Sequence, residues 1–148
     1  MDTRGVGVMF SVNSKEKGTE KVSVNMNPAT LSGIDLLVDN GYYSNRSDFI
    51  NQAVREALSR HQTTIDRIAE QNMSRSSGSR WFLGAYYLRP DELEECMRDN
   101  RRISITGYGV LHISADCADE DVFRCVTGIN IKGRVNASAA VKEYYGLK

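Results

Sequence analysis

The sequence predicts an α+β fold in two parts, residues 20–72 and residues 81–148. Three observations support this prediction. Polar and apolar residues alternate just before Pro28, two stretches with helical spacing follow, and apolar runs broken by glycines make up much of the second half. The 148 residues, of which 41% are apolar and 26% charged, suit a globular chain with one ordinary domain or two small ones.

The first predicted element is a short strand that ends before Pro28. Three apolar side chains fall on one face and three polar side chains on the other: Val22, Val24 and Met26 against Lys21, Ser23 and Asn25. A lone strand leaves its backbone N–H and C=O groups unpaired, so the same strand of a second copy is its natural partner. The resulting two-stranded ribbon fits the major groove of B-DNA.

Two amphipathic helices are predicted after the strand. Pro28 begins the first, and Gly41 is expected to end it in a left-handed conformation. Asn45 and Asp48 form a capping-box-like start for the second helix, which extends to Leu58. About 40 residues are too few for an independent core, so this unit is expected to dimerise. The expected dimer core consists of Val22, Val24, Met26, Leu37, Ile50 and Val54.

Residues 20–60 resemble the ribbon-helix-helix family of DNA-binding proteins, the Arc/MetJ/CopG superfamily. The strand, the two helices and Gly41-Tyr-Tyr-Ser-Asn-Arg-Ser-Asp48 between them carry the resemblance. It implies an obligate homodimer with a swapped, antiparallel two-stranded ribbon that binds double-stranded DNA in the major groove. The implied base contacts are Lys21, Ser23 and Asn25, and the implied phosphate contacts at the start of the second helix are Ser44, Asn45, Arg46 and Ser47.

The charge of this unit is not that of a general DNA-binding surface. Between Glu20 and Leu58 three residues are basic and five are acidic. Because affinity for DNA of any sequence depends on neutralising phosphates, tight non-specific binding is not expected from one dimer.

The segments around this unit are defined mainly by composition. Residues 1–19 are predicted to be a flexible N-terminal arm, although the alternation of Val6, Val8, Phe10 and Val12 leaves an extra strand open. Residues 61–72 can prolong the second helix or form a third. Residues 73–80, rich in serine and glycine, are predicted to be a linker between the two domains.

The second half, residues 81–148, is predicted to be a small α+β domain with short strands. A buried strand over residues 81–88 precedes a helix that starts at Pro90 and turns Leu93, Cys96 and Met97 inward. Two similar segments follow, Ile103-Ser-Ile-Thr-Gly107 and Ile129-Asn-Ile-Lys-Gly133. Each is predicted to be a short strand that ends in a glycine turn, after which a second short strand begins. A helix that includes Val122, Phe123 and Val126 is expected between them, and a short helix over residues 139–145 closes the chain.

This half is expected to serve oligomerisation or effector sensing. Two repeated units are too few to bury their faces, which favours a higher homo-oligomer. The domain resembles, loosely, the C-terminal extensions of some prokaryotic ribbon-helix-helix regulators, through Arg134-Val-Asn-Ala-Ser138.

Several classes of site and location are not indicated. His61 and His112 fall in different predicted domains and supply neither a metal cluster nor a catalytic pairing, so no cofactor, metal or enzymatic activity is expected. Cys96, Cys117 and Cys125 are predicted to be buried free thiols. No apolar run reaches the roughly 18 residues of a membrane span, and no signal peptide follows Met1, so we expect a cytoplasmic, nucleoid-associated protein.

The resemblance to ribbon-helix-helix proteins implies a sequence-specific transcriptional regulator of a prokaryote, acting as a repressor and as a homodimer or tetramer. Two alternatives use the same DNA-binding unit: an antitoxin that regulates its own operon, and a DNA-organising or partition protein. Antitoxin tails are polar and fold on the toxin. The aromatic and β-branched content of residues 81–148 therefore favours the regulator.

Overall fold

A computed structural model describes residues 19–75 and 78–148. The predicted N-terminal arm, with its alternating valines, lies outside the described residues except for its last residue, Thr19. The chain divides into two compact units: one ends at Arg67, and the other comprises Ile68 to Lys148 among the described residues.

The first unit begins with residues 19–27, which form neither helix nor strand in the single chain. Helix α1, Pro28–Asp39, starts at Asn27, whose side chain accepts a hydrogen bond from the backbone N–H of Ala29 at 2.8 Å. Its end matches the prediction, because Gly41 has a φ of 79°. The N–H groups of Gly41 and Tyr42 donate to the carbonyls of Val38 and Leu37, both at 3.0 Å.

Helix α2, Arg46–Arg60, has the predicted capped start. The Asn45 side chain accepts from the N–H of Asp48 at 2.9 Å, and the Asp48 carboxylate accepts from the N–H of Ser44 at 3.0 Å. After His61 a separate helix, α3, runs over Gln62–Ser74. Of the two alternatives for residues 61–72, the structure thus has the third helix.

The second unit contains a three-stranded parallel sheet in the order β1-β2-β3. Its strands are β1 (Ser79–Leu88), β2 (Ile103–Ile113) and β3 (Val126–Asn136). Helices α4 (Pro90–Arg98) and α5 (Asp119–Cys125) connect them, and α6 (Ala139–Tyr144) follows. Both crossovers advance in the same direction along the sheet, so the right-handed rule places α4 and α5 on one face.

One apolar core lies between that face and the helices. It includes Leu93 and Cys96 of α4, as predicted, and Val122 and Cys125 of α5. The largest completely buried strand residues are Leu88, Ile105, Leu111 and Val126. All three cysteines are free and buried, as predicted, and burial raises the pKa of each thiol.

The predicted short strands with glycine corners are wrong, as is the predicted helix through Val126. β2 and β3 are continuous strands of 11 residues each, and Val126 is the first residue of β3. Gly133 pairs with Gly109, which in turn pairs with Gly84 of β1. The sequence had instead suggested that Gly133 aligns with Gly107, which lies two residues before Gly109. It also gave no indication that Gly84 of β1 completes a row of three glycines across the sheet.

The glycine row explains why the strands continue instead of turning. Gly84, Gly109 and Gly133 have φ values of 106°, 127° and 147°. A Cβ atom on Gly109 would lie 1.9 Å from the carbonyl oxygen of Gly84, and one on Gly133 would lie 1.8 Å from that of Gly109. Only glycine permits such an approach, so the row lets three adjacent strands adopt an unusual backbone without breaking the sheet.

None of the helices in the described ranges has the length and apolar character that a membrane span requires.

Candidate functional site

The segment before α1 exposes both of its predicted faces. Lys21, Ser23 and Asn25 are exposed. Val22 and Val24 are also exposed, at 78% and 70% of their surface. Exposed valines that alternate with polar residues are typical of a strand whose partner belongs to another chain.

The start of α2 presents backbone donors to solvent. The N–H groups of Ser44 and Asp48 are occupied by the reciprocal cap. Those of Arg46 and Ser47, in the first turn, have no acceptor within the helix because no turn precedes them. All four residues predicted to contact phosphate, Ser44, Asn45, Arg46 and Ser47, are exposed. The positive end of the helix dipole adds to the attraction for an anion.

The guanidinium of Arg46 is bound to Asp35 of α1. Its Nε lies 2.6 Å from one carboxylate oxygen and its Nη2 lies 2.7 Å from the other, a bidentate pair. The hydrogen bond from Arg46 lowers the pKa of Asp35. This pair joins α1 to α2, and sequence reasoning missed it because the partners are 11 positions apart and on different helices.

The helices leave much of their apolar surface uncovered. α2 has no buried residue, and Ile50 and Val54, both predicted for the dimer core, are 38% and 50% exposed. Leu58, one further turn along, is exposed as well. Of the remaining predicted core residues, Met26 and Leu37 are partly buried within the single chain. An apolar stripe of this kind on a small helical unit is typical of an interaction surface.

The family described as the Ribbon-Helix-Helix transcriptional regulator family matches residues 17–142. The chain belongs to this family. The predicted resemblance over residues 20–60 is thereby confirmed, and the match also covers the whole sheet of the second unit. No curated protein and no solved structure matches the chain.

Membership in this family of ribbon-helix-helix regulators agrees with the local geometry of α1 and α2. The second unit is equally part of the matched region, so it belongs to the architecture of the family and is not an unrelated addition. Within residues 19–75 and 78–148, no three His, Cys, Asp or Glu side chains come together as possible metal ligands. His112 lies in β2, where it stacks on Tyr87 with ring centroids 4.7 Å apart and contacts the side chain of Asn136.

Proposed function

We propose that this ribbon-helix-helix protein is a sequence-specific DNA-binding repressor. In this proposal residues 20–26 of two copies pair into an antiparallel ribbon that enters the major groove. The observation that carries the proposal is the exposure of Val22 and Val24 beside exposed polar residues. Pairing would place the valines against the two sets of helices and the polar side chains toward DNA.

The polar side chains suit recognition of base edges. Asn25 can form a bidentate pair with adenine, and Lys21 can donate to the O6 and N7 atoms of guanine. Ser23 can donate to, or accept from, either kind of base. With few positive charges on this unit, these contacts contribute specificity that phosphate attraction alone does not supply.

The start of α2 would hold a backbone phosphate on either side of the ribbon. We assign this role to Ser44, Asn45, Arg46 and Ser47, with the free N–H groups of Arg46 and Ser47 as the principal donors. The Arg46 guanidinium is held by Asp35, so it acts mainly by fixing the loop between the helices. Contacts of this type orient a protein on the duplex.

The dimer would bury the apolar faces that a single chain exposes. Its proposed core comprises Val22, Val24, Met26, Leu37, Ile50 and Val54. Ile50 and Val54 lie four positions apart on α2 and therefore form one stripe, which Leu58 extends. Covering this stripe with the partner's stripe gives the unit a core that its size does not otherwise permit.

We further propose that the second unit links dimers into a tetramer. Arg80 and Tyr86 of β1 contact Glu92 of α4, so alternation directs Trp81 and Leu83 to the opposite face of the sheet. Trp81 there contacts Tyr108 of β2, with ring centroids 6.3 Å apart. Parallel sheets are usually covered on both faces, and this face carries aromatic residues that suit a second sheet.

The linkage can be tested by light scattering on the full chain. Tyr108→Glu places a charge on this face, where Tyr108 is 47% exposed, and should convert tetramers into dimers. Tyr144→Glu is the matched control, since Tyr144 is exposed on α6, which packs with α5. If the Tyr108 variant keeps the same mass as the wild type, another surface joins the dimers or none does.

Selection of bound duplexes from a random DNA pool tests the DNA-binding proposal itself. The expected result is enrichment of a short inverted repeat, because a twofold ribbon contacts two equivalent half-sites. Recovery of random sequences would contradict sequence-specific recognition. The antitoxin and DNA-organising alternatives have less support, since the second unit has a core of its own and does not need a toxin on which to fold.

A further inference from the structure

Three arginines converge on one cavity at the end of the sheet where β2 begins. The cavity has a volume of about 540 Å³. Arg101, Arg102 and Arg124 line it together with Cys96, Met97 and Cys125. We call it the arginine cavity. All of its lining residues belong to the second unit.

The end of α4 positions two of these arginines. Asn100 adopts a left-handed conformation with a φ of 51°, which turns the chain back across the helix end. The N–H of Arg101 donates to the carbonyl of Cys96 at 2.9 Å, and that of Asn100 donates to the carbonyl of Met97 at 3.2 Å. Backbone groups therefore satisfy these carbonyls, and the arginine side chains are not needed as caps.

The third arginine comes from a different element. Arg124 lies in the last turn of α5, 22 positions after Arg102 in the chain. Burial raises the pKa of the Cys125 thiol, the charge of Asp121 raises it further, and the charges of Arg124 and Arg102 lower it. Arg102 and Arg124 thus come from different elements and line the same concave surface.

One of the three arginines that line the cavity is in an ion pair. Arg101 pairs with Asp99 at 2.7 Å at an exposed position. Arg102 and Arg124 form no ion pair with any residue in the part of the chain that the structure describes. Cations near helix ends do stabilise the helix dipole, but that role does not require them to share a concave surface. Among the described residues, the second unit thus presents two guanidinium groups without ion pairs on one concave surface.

We infer that the arginine cavity binds a small organic phosphate and that this ligand is an effector of the regulator. Guanidinium groups bind phosphate oxygens through paired, charge-assisted hydrogen bonds. The partly exposed thioether of Met97 suits an apolar or aromatic part of the same molecule. The volume is within the range of roughly 300–1,000 Å³ that small-molecule sites occupy. The effector role rests on the proposed function, whereas binding of the phosphate compound does not.

The test uses full-length protein without DNA, with ADP, pyrophosphate and adenosine as probes. Thermal unfolding and calorimetric titration should show that millimolar ADP stabilises and binds the wild type, that pyrophosphate binds more weakly, and that adenosine binds least. Arg102→Gln and Arg124→Gln should each weaken ADP binding by about tenfold or more. These two changes lie on separate elements, so misfolding of one variant leaves the other informative.

Arg98→Gln is the matched control, because Arg98 is an exposed arginine of α4 that does not line the cavity. It should bind ADP as the wild type does. Absence of ADP and pyrophosphate binding at millimolar concentration would overturn the inference, and so would an equal loss in the Arg98 variant.

Binding to a DNA duplex of random sequence shows whether the arginines bind a small phosphate compound or the phosphates of the DNA backbone. If the Arg102 and Arg124 variants lose affinity for this duplex as strongly as for ADP, the arginines contact the DNA backbone, and the small-molecule assignment is wrong. Failure of the ribbon to bind any operator would leave the ADP titration unchanged. The two proposals can therefore fail separately.

Discussion

Individual side chains of the ribbon carry the proposed base specificity. Lys21, Ser23 and Asn25 are exposed together on a segment that pairs with no strand among the described residues. Each has donors or acceptors that match major-groove base edges. Because the surrounding unit has more acidic than basic residues, the loss of one base contact should appear as lost specificity and not only as lost affinity.

Asn25→Ala is the simplest change at this scale. It should cost about 1–3 kcal/mol on the preferred site and relax the preference at one position in each half-site. Titration of labelled duplexes and a repeated selection measure both quantities. Asn51→Ala, at an exposed position of α2, is the control and should change neither. Unchanged site preference in alanine variants of Lys21, Ser23 and Asn25 would exclude these residues as base contacts.

The Asp35–Arg46 pair offers a second test at the residue scale. Asp35→Asn removes a negative charge and releases the Arg46 guanidinium for a phosphate, so DNA binding should become tighter. The slope of log affinity against log salt should become steeper by about one unit per half-site. Asp39→Asn makes the same charge change at an exposed residue of α1. Equal effects of the two variants would show that only net charge matters.

Helix ends and strand registers differ in how far sequence predicts them. The caps of α1 and α2 were predicted because Gly41, Asn45 and Asp48 act within a few residues of their hydrogen-bond partners. The register of the sheet was not, because it depends on carbonyl groups of neighbouring strands that lie about 25 positions away. In a single sequence, Gly107 and Gly109 look equally suited to pair with Gly133.

The sequence predicts the local features of the candidate sites but not the contacts between distant residues. The polar and apolar faces of residues 20–26 follow from alternation alone, which is a local property. The pairing of Asp35 with Arg46, and the convergence of Arg102 with Arg124, depend on how separate elements pack. No periodic pattern indicates such contacts. The partner chain that the exposed valines imply can be inferred from composition, but its contacts cannot.

At the scale of secondary-structure elements, the prediction concerns the glycine row of Gly84, Gly109 and Gly133. Gly109→Ala should destabilise the protein by about 3 kcal/mol or more, because the new Cβ would overlap the carbonyl of Gly84. Gly128→Ala, at a position with no atom within 4 Å of the new Cβ, should change stability far less. Denaturant unfolding followed by circular dichroism measures both. Similar stability of the two variants would mean that β1 and β2 move apart easily.

At the scale of the whole molecule, the proposed dimer should determine the stability of the first unit. The first unit exposes an apolar stripe that only a second chain can cover in our proposal. Ile50→Ala should therefore destabilise the dimer by roughly 2–5 kcal/mol and make thermal unfolding depend on protein concentration. Gln52→Ala, an exposed polar position of the same helix, is the control. A folded monomer of the wild-type protein at micromolar concentration would rule out an obligate dimer.

The most direct test of the ribbon combines a change at Asn25 with the removal of one hydrogen-bond acceptor from the DNA. Replacing an adenine of the selected half-site by 7-deazaadenine removes its N7 acceptor from the major groove and leaves the minor-groove edge intact. At the contacted adenine, this change and Asn25→Ala should each weaken binding by about 1–3 kcal/mol, and together they should weaken it no more than either alone. Equal binding of modified and unmodified duplexes at every adenine, or losses that simply add, would contradict recognition of the major groove by this residue.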